Sequence, residues 1–257
     1  MRRIPADAAL APEPGSLAGR VVLVAGAAGA LGSCAALEAG VAGATVVLLG
    51  RKVPPLERLY DRLLAAGAPQ PAIYPLDLAG ASPDDHAALA DALARECGRL
   101  DGLLLACAHF AALAPFDLTP PAEWLKALHV NLGAAGLLLG ACLPLLKRSA
   151  DAAIVVALDD PATVGRAYWG GYGAAQHGLA GLLAILADEL EHGPVRVHGL
   201  LPPPIRSALR ARAWIADRDP AAEDPARAAA AAAALLGPGG APWRGAIVDL
   251  RAKPHGA

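Results

Sequence analysis

Short runs of apolar residues alternate along the chain with longer stretches in which apolar positions recur at helical spacing. The short runs are continuously apolar, which is typical of strands that are buried on both faces of a parallel sheet. The pattern predicts about seven strands, at Val21–Ala25, Thr45–Leu49, Ala72–Tyr74, Leu103–Ala106, Ala153–Ala157, Val195–Gly199 and Ala246–Leu250.

Helical stretches separate these strands. They are predicted from the turn after the first strand to about Gly40, and at Pro54–Ala66, Pro83–Glu96, Trp124–Leu146, Tyr172–Glu191 and Ala226–Leu236. Strands that alternate with helices predict an α/β fold, a doubly wound Rossmann-like domain with helices on both faces of the sheet. We see no domain boundary in residues 1–257. We expect residues 1–17 to form a loose N-terminal arm and residues 201–224 to form a mobile loop with short helical pieces.

Composition narrows the class of protein. Hydrophobic residues make up 55% of the 257 residues, with only 4% aromatic, and about a quarter of the chain is alanine. A charged fraction of 18% and a net charge of -2 argue against nucleic-acid binding. The longest apolar run, Leu132–Leu143, is shorter than the roughly 20 residues of a membrane span, and the N-terminal residues contain no apolar signal-peptide core.

The four cysteines show neither metal-ligand spacing nor a disulfide pattern. They are Cys34, Cys97, Cys107 and Cys142. We therefore expect a cytoplasmic protein without a metal site.

A glycine-rich turn follows the first predicted strand, with glycines at Gly26, Gly29 and Gly32. Such a turn lets backbone N–H groups at a helix N-terminus bind a pyrophosphate. Arg51 follows the second strand, where an arginine can pair with a ribose 2′-phosphate and so favours NADP over NAD; a solvated loop charge is the alternative. Asp77 follows the third strand, where its carboxylate could accept from an adenine amine or simply cap a turn.

Together these features resemble the short-chain dehydrogenase/reductase family from Leu17 to about Leu250. The residues that carry the resemblance are the turn from Gly26 to Gly32, Leu49-Gly50-Arg51, Asp77-Leu78, Val130-Asn131, Gly165 to Gly170, Tyr172 with its following helix, Pro202 and Asp249. The bacterial NADP-type members are the most similar. The resemblance implies an NADP-binding Rossmann domain, usually a homodimer or homotetramer, that acts on a small carbonyl or alcohol. It also implies cofactor contacts from Leu78, Gln176 and Pro202, and places residues 201–224 on the substrate side.

The family's catalytic pattern is only half preserved. The resemblance assigns the proton-transferring tyrosine to Tyr172, and the asparagine that supports a water relay to Asn131. The family's lysine, four residues after the tyrosine, is Gln176, and its substrate-orienting serine is Asp159. Glutamine brings no charge to stabilise a tyrosinate, and an ionised Asp159 would raise the tyrosine pKa.

Other departures from the family pattern agree with this. Its threonine before the first glycine is Ala25, its middle glycine is Ala30, and its Asn-Ala-Gly after the fourth strand reads Cys107-Ala108-His109. Its Pro-Gly after the sixth strand reads Pro202-Pro203-Pro204, which removes N–H donors.

Two histidines are candidate substitutes for the lost groups. His177 points away from the tyrosine face of its helix, whereas His109 and Asp159 could form a new acid–base pair at neighbouring strand ends. Trp169 and Trp214 either line a pocket or pack under the loop.

Two hypotheses follow. The first is an NADP-dependent oxidoreductase with weak or altered catalysis on an unknown carbonyl or alcohol. The second is a catalytically inactive relative that serves as a scaffold for a nucleotide, a small ligand or a protein partner, and it includes the case in which no cofactor binds.

Overall fold

The computed structural model describes residues 1–6, 10–214 and 222–251. Its core is one parallel sheet of eight strands in the order β1-β8-β7-β6-β5-β2-β3-β4. The strands are β1 (Arg2–Pro5), β2 (Val21–Ala25), β3 (Thr45–Gly50), β4 (Ala72–Pro75), β5 (Gly102–Leu105), β6 (Ala152–Ala157), β7 (Val195–Leu201) and β8 (Ala246–Asp249). The predicted doubly wound Rossmann-like fold is confirmed, with eight strands instead of about seven.

Helices cover both faces of the sheet. They are α1 (Ala30–Val41), α2 (Val53–Ala65), α3 (Pro83–Glu96), α4 (Pro121–Leu128), α5 (Ala134–Leu146), α6 (Pro161–Val164), α7 (Gly170–Glu189), α8 (Ala208–Ala213) and α9 (Ala226–Leu236). The central strands are continuously apolar because both of their faces are buried, and every residue of β2, β5 and β7 is buried.

The additional strand is β1, which forms the edge of the sheet. The N-terminal segment was expected to be a loose arm, but Arg2–Pro5 pairs in parallel with β8. Arg3 holds this edge by an ion pair of 2.6 Å with Asp249. The sequence signal was missed because the strand is short and mostly exposed, so that it has no buried apolar run. Residues 7–9 of the predicted arm lie outside the described residues.

The predicted helix Trp124–Leu146 begins three residues earlier and is not uniform. Helix α4 continues through a π-helical turn at His129–Gly133 into α5. By length and composition, Pro121–Leu146 could cross a membrane, but 44% of its most apolar window is buried within the protein. Its contacts with α3 and α7 are those of a core helix.

Alanine is concentrated where α9 packs against α1. Eight of the eleven residues of α9 are buried, and six of those eight are alanines. Helix α1 contributes buried Ala35, Ala36 and Ala39. These nine short side chains let the two helices approach closely, so this layer accounts for part of the alanine excess.

A charged network closes the opposite end of the sheet, at the amino ends of the strands. The buried guanidinium of Arg196 donates to Asp151 at 2.9 Å and to the carbonyl oxygen of Leu235 at 3.1 Å. His198 is fully buried, with Nδ1 2.9 Å from the carbonyl oxygen of Trp243. Desolvation, and secondly the positive charge of Arg196, lower the pKa of His198 to about 4. His198 is therefore neutral in the folded protein near pH 7.

Candidate functional site

A cavity of about 790 Å³ lies along the carboxyl ends of the strands. It is lined by the turn after β2, the residues that follow β3, β4, β5, β6 and β7, the start of α7, and part of α8. The sheet order reverses between β2 and β5, and the crevice at such a reversal is where doubly wound folds bind their ligands.

The glycine turn has little room for side chains. Gly26 has φ +85°, and a Cβ there would lie 2.7 Å from the backbone nitrogen of Cys107. A Cβ on Gly32 would lie 2.2 Å from the carbonyl oxygen of Gly26. Gly29 is the N-cap of α1 and makes no side-chain cap, so the first N–H groups of the helix are available to a bound anion. The turn therefore fits the phosphates of a dinucleotide.

The residues after β3 and β4 lie along the same cavity. Arg51 and Lys52 are exposed and contribute two positive charges to it. Asp77 lines the cavity while its Oδ1 accepts from the backbone nitrogen of Ala79 at 3.1 Å, so it both caps a turn and faces the space for a ligand. Leu78 is buried and also lines the cavity. A 2′-phosphorylated adenosine would meet complementary charge here.

Tyr172 and Asp159 form a hydrogen-bonded pair at the chemical end of the cavity. The phenol of Tyr172 donates to Oδ2 of Asp159 at 3.0 Å. Burial raises the pKa of the Asp159 carboxyl, and burial together with the charge of Asp159 raises the pKa of Tyr172 well above its usual value. The direction is the one that the sequence predicted. Tyr172 is thus held as a neutral phenol.

Gln176 is buried one helical turn after Tyr172. Its Oε1 accepts from the backbone nitrogen of Asp159 at 3.1 Å, so the amide oxygen fixes the end of β6. A neutral amide supplies no positive charge to offset a phenolate. Gln176 also lines the cavity, where it remains a candidate for a hydrogen bond to a ribose.

Asn131 sits in the π-helical turn, and its side chain braces the loop after β5. Its Nδ2 donates to the carbonyl oxygens of His109 at 2.7 Å and Ala127 at 2.8 Å, and its Oδ1 accepts from the backbone nitrogen of His109 at 2.8 Å. Both amide protons are used within the protein. The side chain therefore has no N–H left for a relay water.

The partner of His109 is Glu123 and not Asp159. Nε2 of His109 lies 3.0 Å from Oε2 of Glu123 in α4, and His109 lines the cavity. The hydrogen bond to His109 lowers the pKa of Glu123. Among the described residues the expected His109–Asp159 pair does not form: the Asp159 carboxylate accepts from the phenol of Tyr172 and from the backbone nitrogen of Asp160. Glu123 was missed since nothing in the sequence links a loop to a helix residue fourteen positions away.

An aromatic cluster forms the wall beside Tyr172. The ring centroids of Phe110 and Trp169 lie 5.3 Å and 5.7 Å from that of Tyr172. Trp169 also contacts Trp214 at 5.5 Å. Trp214 lines the cavity, whereas Trp169 is 6% exposed and packs behind Trp214 without lining the cavity. Each tryptophan therefore takes one of the two roles considered from the sequence.

The remaining candidates have simpler surroundings. Pro202, Pro203 and Pro204 line the cavity without offering N–H donors. Burial raises the pKa of Cys107 to about 11, so it stays a thiol. Nδ1 of His177 lies 2.8 Å from the carbonyl oxygen of Gly173, within its own helix.

The loop 201–224 has a short helical piece in its described part, as the sequence predicts. It contains α8 and an isolated bridge between Ile205 and Glu223. Residues 215–221 of this loop lie outside the described residues. In the described part of the chain, no group of three His, Cys, Asp or Glu side chains is placed to hold a metal ion.

Comparison with known proteins identifies sequence relatives of the chain. The family model described as short chain dehydrogenase matches residues 20–217. The Escherichia coli protein named uncharacterized oxidoreductase YciK is 32% identical over 79% of this chain and 80% of its own length. A D-threitol dehydrogenase from Mycolicibacterium smegmatis is 31% identical over 77% of this chain and 75% of its own.

Solved structures agree with the fold. The structure of the oxidoreductase YciK from E. coli matches with a TM-score of 0.87 and 30% identity, covering 93% of this chain and 98% of that one. A Shigella flexneri 2a protein, named as a short chain dehydrogenase complexed with NADP, matches with a TM-score of 0.87 and 29% identity over 92% of this chain and 99% of its own. The glycine turn, the eight-stranded sheet and the family match lead to one conclusion: the chain belongs to the short-chain dehydrogenase/reductase family.

Proposed function

We propose that the chain is an NADP-dependent oxidoreductase that acts on a small carbonyl or alcohol substrate with weak or altered catalysis. One observation carries the proposal: the phenol of Tyr172 donates to the partly buried carboxylate of Asp159, inside the cavity that also contains the glycine turn and Arg51. Binding groups and a proton donor are thus retained together, while the catalytic set is altered.

The cofactor assignment rests on charge and space. The turn admits phosphates, and Arg51 and Lys52 supply cations at the position that distinguishes NADP from NAD. The NADP complex of the S. flexneri relative supports the same choice. When bound, the reduced nicotinamide would supply the hydride. Gln176 and Pro202 lie along the cavity where they could contact the nicotinamide half.

The protein groups favour reduction over oxidation. Oxidation of an alcohol needs a base, and a tyrosine whose pKa is raised by burial and by Asp159 is a poor base near neutral pH. In reduction, a neutral phenol can donate to the developing alkoxide. While Asp159 is ionised, its carboxylate competes with the substrate for the phenol proton. When Asp159 is protonated, this competition weakens and the phenol can donate to the substrate. We therefore expect slow reduction that is favoured at acid pH.

The scaffold hypothesis remains the second candidate. The observation that favours it is the bond from the backbone nitrogen of Asp159 to Gln176, because the side chain in the lysine position is used to hold the protein itself. Under this hypothesis the cavity binds a nucleotide or another ligand without turnover.

Fluorescence titration with NADPH is the first test. Absence of binding at millimolar NADPH would exclude the oxidoreductase and its cofactor assignments. If NADPH binds, turnover is measured over a carbonyl panel for the wild type, Tyr172→Phe, and the double variant Asp159→Ser with Gln176→Lys. Wild-type turnover that is lost in Tyr172→Phe supports the oxidoreductase, whereas turnover only in the double variant supports the disabled scaffold.

Assembly and location are proposed separately. Leu125 in α4 and Ile185 in α7 are 64% and 57% exposed. Helices α5 and α7 are rich in Gly, Ala and Leu, and such apolar helices are suited to pack against a second subunit. We propose a homodimer or homotetramer in the cytoplasm. Light scattering that gives a single chain of 25.8 kDa would contradict the assembly.

A further inference from the structure

His109 and Glu123 form a second polar pair beside the Tyr172 site. His109 follows β5 and Asp159 follows β6, and the register pairs Leu105 with Val156 at the ends of these neighbouring strands. His109 therefore lies four residues past the end of β5, and Asp159 lies two residues past the end of β6. The ring of Phe110, the residue after His109, contacts the ring of Tyr172.

The imidazole of His109 is oriented on two sides. Its backbone nitrogen and oxygen are both bonded to Asn131, and its Nε2 is held by Glu123 at 3.0 Å. The ring lines the cavity, and in the described part of the chain no residue hydrogen-bonds to its Nδ1. Nδ1 is thus the nitrogen available to a bound molecule.

This arrangement is that of an acid–base histidine whose ring is oriented by a carboxylate. A carboxylate that holds one ring nitrogen fixes the tautomer and stabilises the imidazolium, while the other nitrogen exchanges a proton with substrate. Imidazole is the side chain best suited to exchange protons near neutral pH. The phenol of Tyr172, in contrast, is bonded to Asp159. The charged group in contact with His109 is Glu123. Arg212 of α8 donates to the carbonyl oxygen of the next residue, Phe110, and Lys126, Asp159, Asp160 and Arg210 line the same cavity.

We propose that His109 is a second proton donor to the substrate oxygen, with Glu123 as its positioning residue. The proposal rests on the NADPH-dependent reduction proposed above. As the hydride adds to the carbonyl carbon and the nicotinamide is oxidised, the C=O π pair moves to oxygen. The oxygen takes the proton of His109 Nδ1, and a neutral ring remains with its Nε2–H on Glu123. Solvent then restores the proton.

The test combines activity with a measurement that needs no turnover. Carbonyl reduction by NADPH is measured for the wild type, His109→Ala, Glu123→Gln and Tyr172→Phe, with and without added imidazole, and His192→Gln at an exposed site is the matched control. We expect His109→Ala to lose roughly 100-fold or more in kcat and to regain part of it with imidazole, which a purely structural loss would not show. Glu123→Gln should lose less, and the control should match the wild type.

The second measurement follows the Glu123 carboxyl by carbon NMR against pH. Because His109 lowers the pKa of Glu123, His109→Ala should return that pKa toward its usual value. An unchanged titration overturns the pair. Wild-type turnover that persists in His109→Ala overturns the proton donor but leaves the reductase intact. Failure of NADPH to bind, or binding without turnover, overturns both the reductase and the proton donor. This case is distinguished from failure of the donor alone because the wild type then shows no activity.

Discussion

Tyr172→Phe removes one hydroxyl and leaves Asp159 without the O–H donor to its Oδ2. The lost bond is 3.0 Å long and Tyr172 is 4% exposed. A hydrogen bond to a charged group contributes about 1.5–3 kcal/mol, against about 0.5–1.5 kcal/mol between neutral groups. We therefore expect the free energy of unfolding at pH 7 to fall by about 1.5–3 kcal/mol, or roughly 3–8 °C in Tm for a chain of this size.

The pH dependence of this deficit has a definite sign. Burial raises the pKa of Asp159, so the carboxylate that benefits from Tyr172 is present only above that raised pKa. The difference between wild type and Tyr172→Phe should be largest near neutral pH and should shrink as the pH falls through the pKa of Asp159.

Urea unfolding at neutral and acid pH measures both quantities. Tyr60→Phe is the matched control, because its hydroxyl accepts only an exposed 3.4 Å contact from Gln70, and a surface change of this kind stays within about 0.5 kcal/mol. If Tyr172→Phe is as stable as this control at pH 7, or loses more at acid pH, the assigned hydrogen bond to an ionised Asp159 is wrong.

Three further changes probe the cavity and the far end of the sheet. Arg51→Ala should weaken NADPH binding roughly 10- to 100-fold in fluorescence titration and leave NADH binding unchanged. Arg58→Ala, at an exposed position of α2 that does not line the cavity, is the control; equal losses for both cofactors would contradict the 2′-phosphate assignment. Gly32→Ala places a Cβ 2.2 Å from a backbone oxygen and should cost about 1–3 kcal/mol in urea unfolding. Gly140→Ala adds a Cβ with no atom within 4 Å and should raise the free energy of unfolding by about 0.5–1 kcal/mol. Changes of the same sign in the two glycine variants would refute the steric argument. The pKa of His198 is lowered from 6.5 to about 4, so its contribution to stability is complete above pH 6.5 and is lost as the pH falls toward 4. The wild type should therefore lose about 2 kcal/mol more stability than His198→Gln between pH 7 and pH 5. Identical pH dependences of the free energy of unfolding for the two proteins would contradict this.

Much of the fold follows from local sequence pattern. Strands such as β2 and β7 are apolar throughout because they are buried on both faces, and this is visible in the sequence without any tertiary information. Edge strand β1 is not, since its stability comes from pairing with β8 and from the contact of Arg3 with Asp249, more than two hundred residues away. The π-helical turn at His129–Gly133 likewise leaves no mark in the periodicity.

Some contacts of the candidate site could likewise be predicted from the sequence, whereas others depend on tertiary packing. The proximity of Asp159, after β6, to Tyr172 of α7 follows from the family pattern, and so does the unfavourable effect of the carboxylate on ionisation of the phenol. What Asn131 and His109 contact depends on how the loop after β5 meets α4, which is a matter of packing. The sequence therefore suggested His109 as an acid–base group but paired it with Asp159, whereas the structure pairs it with Glu123.

The alanine layer between α1 and α9 has a thermodynamic consequence for the nucleotide end. Burial of alanine freezes no side-chain rotamers, so this layer forms at almost no cost in side-chain conformational entropy. It also has no rotamer that could adjust to a displaced neighbour. The position of α1 over the sheet is therefore set by direct backbone proximity. Because α1 begins at the glycine turn, the N–H groups that face the cavity are positioned relative to the strands by this tightly packed layer.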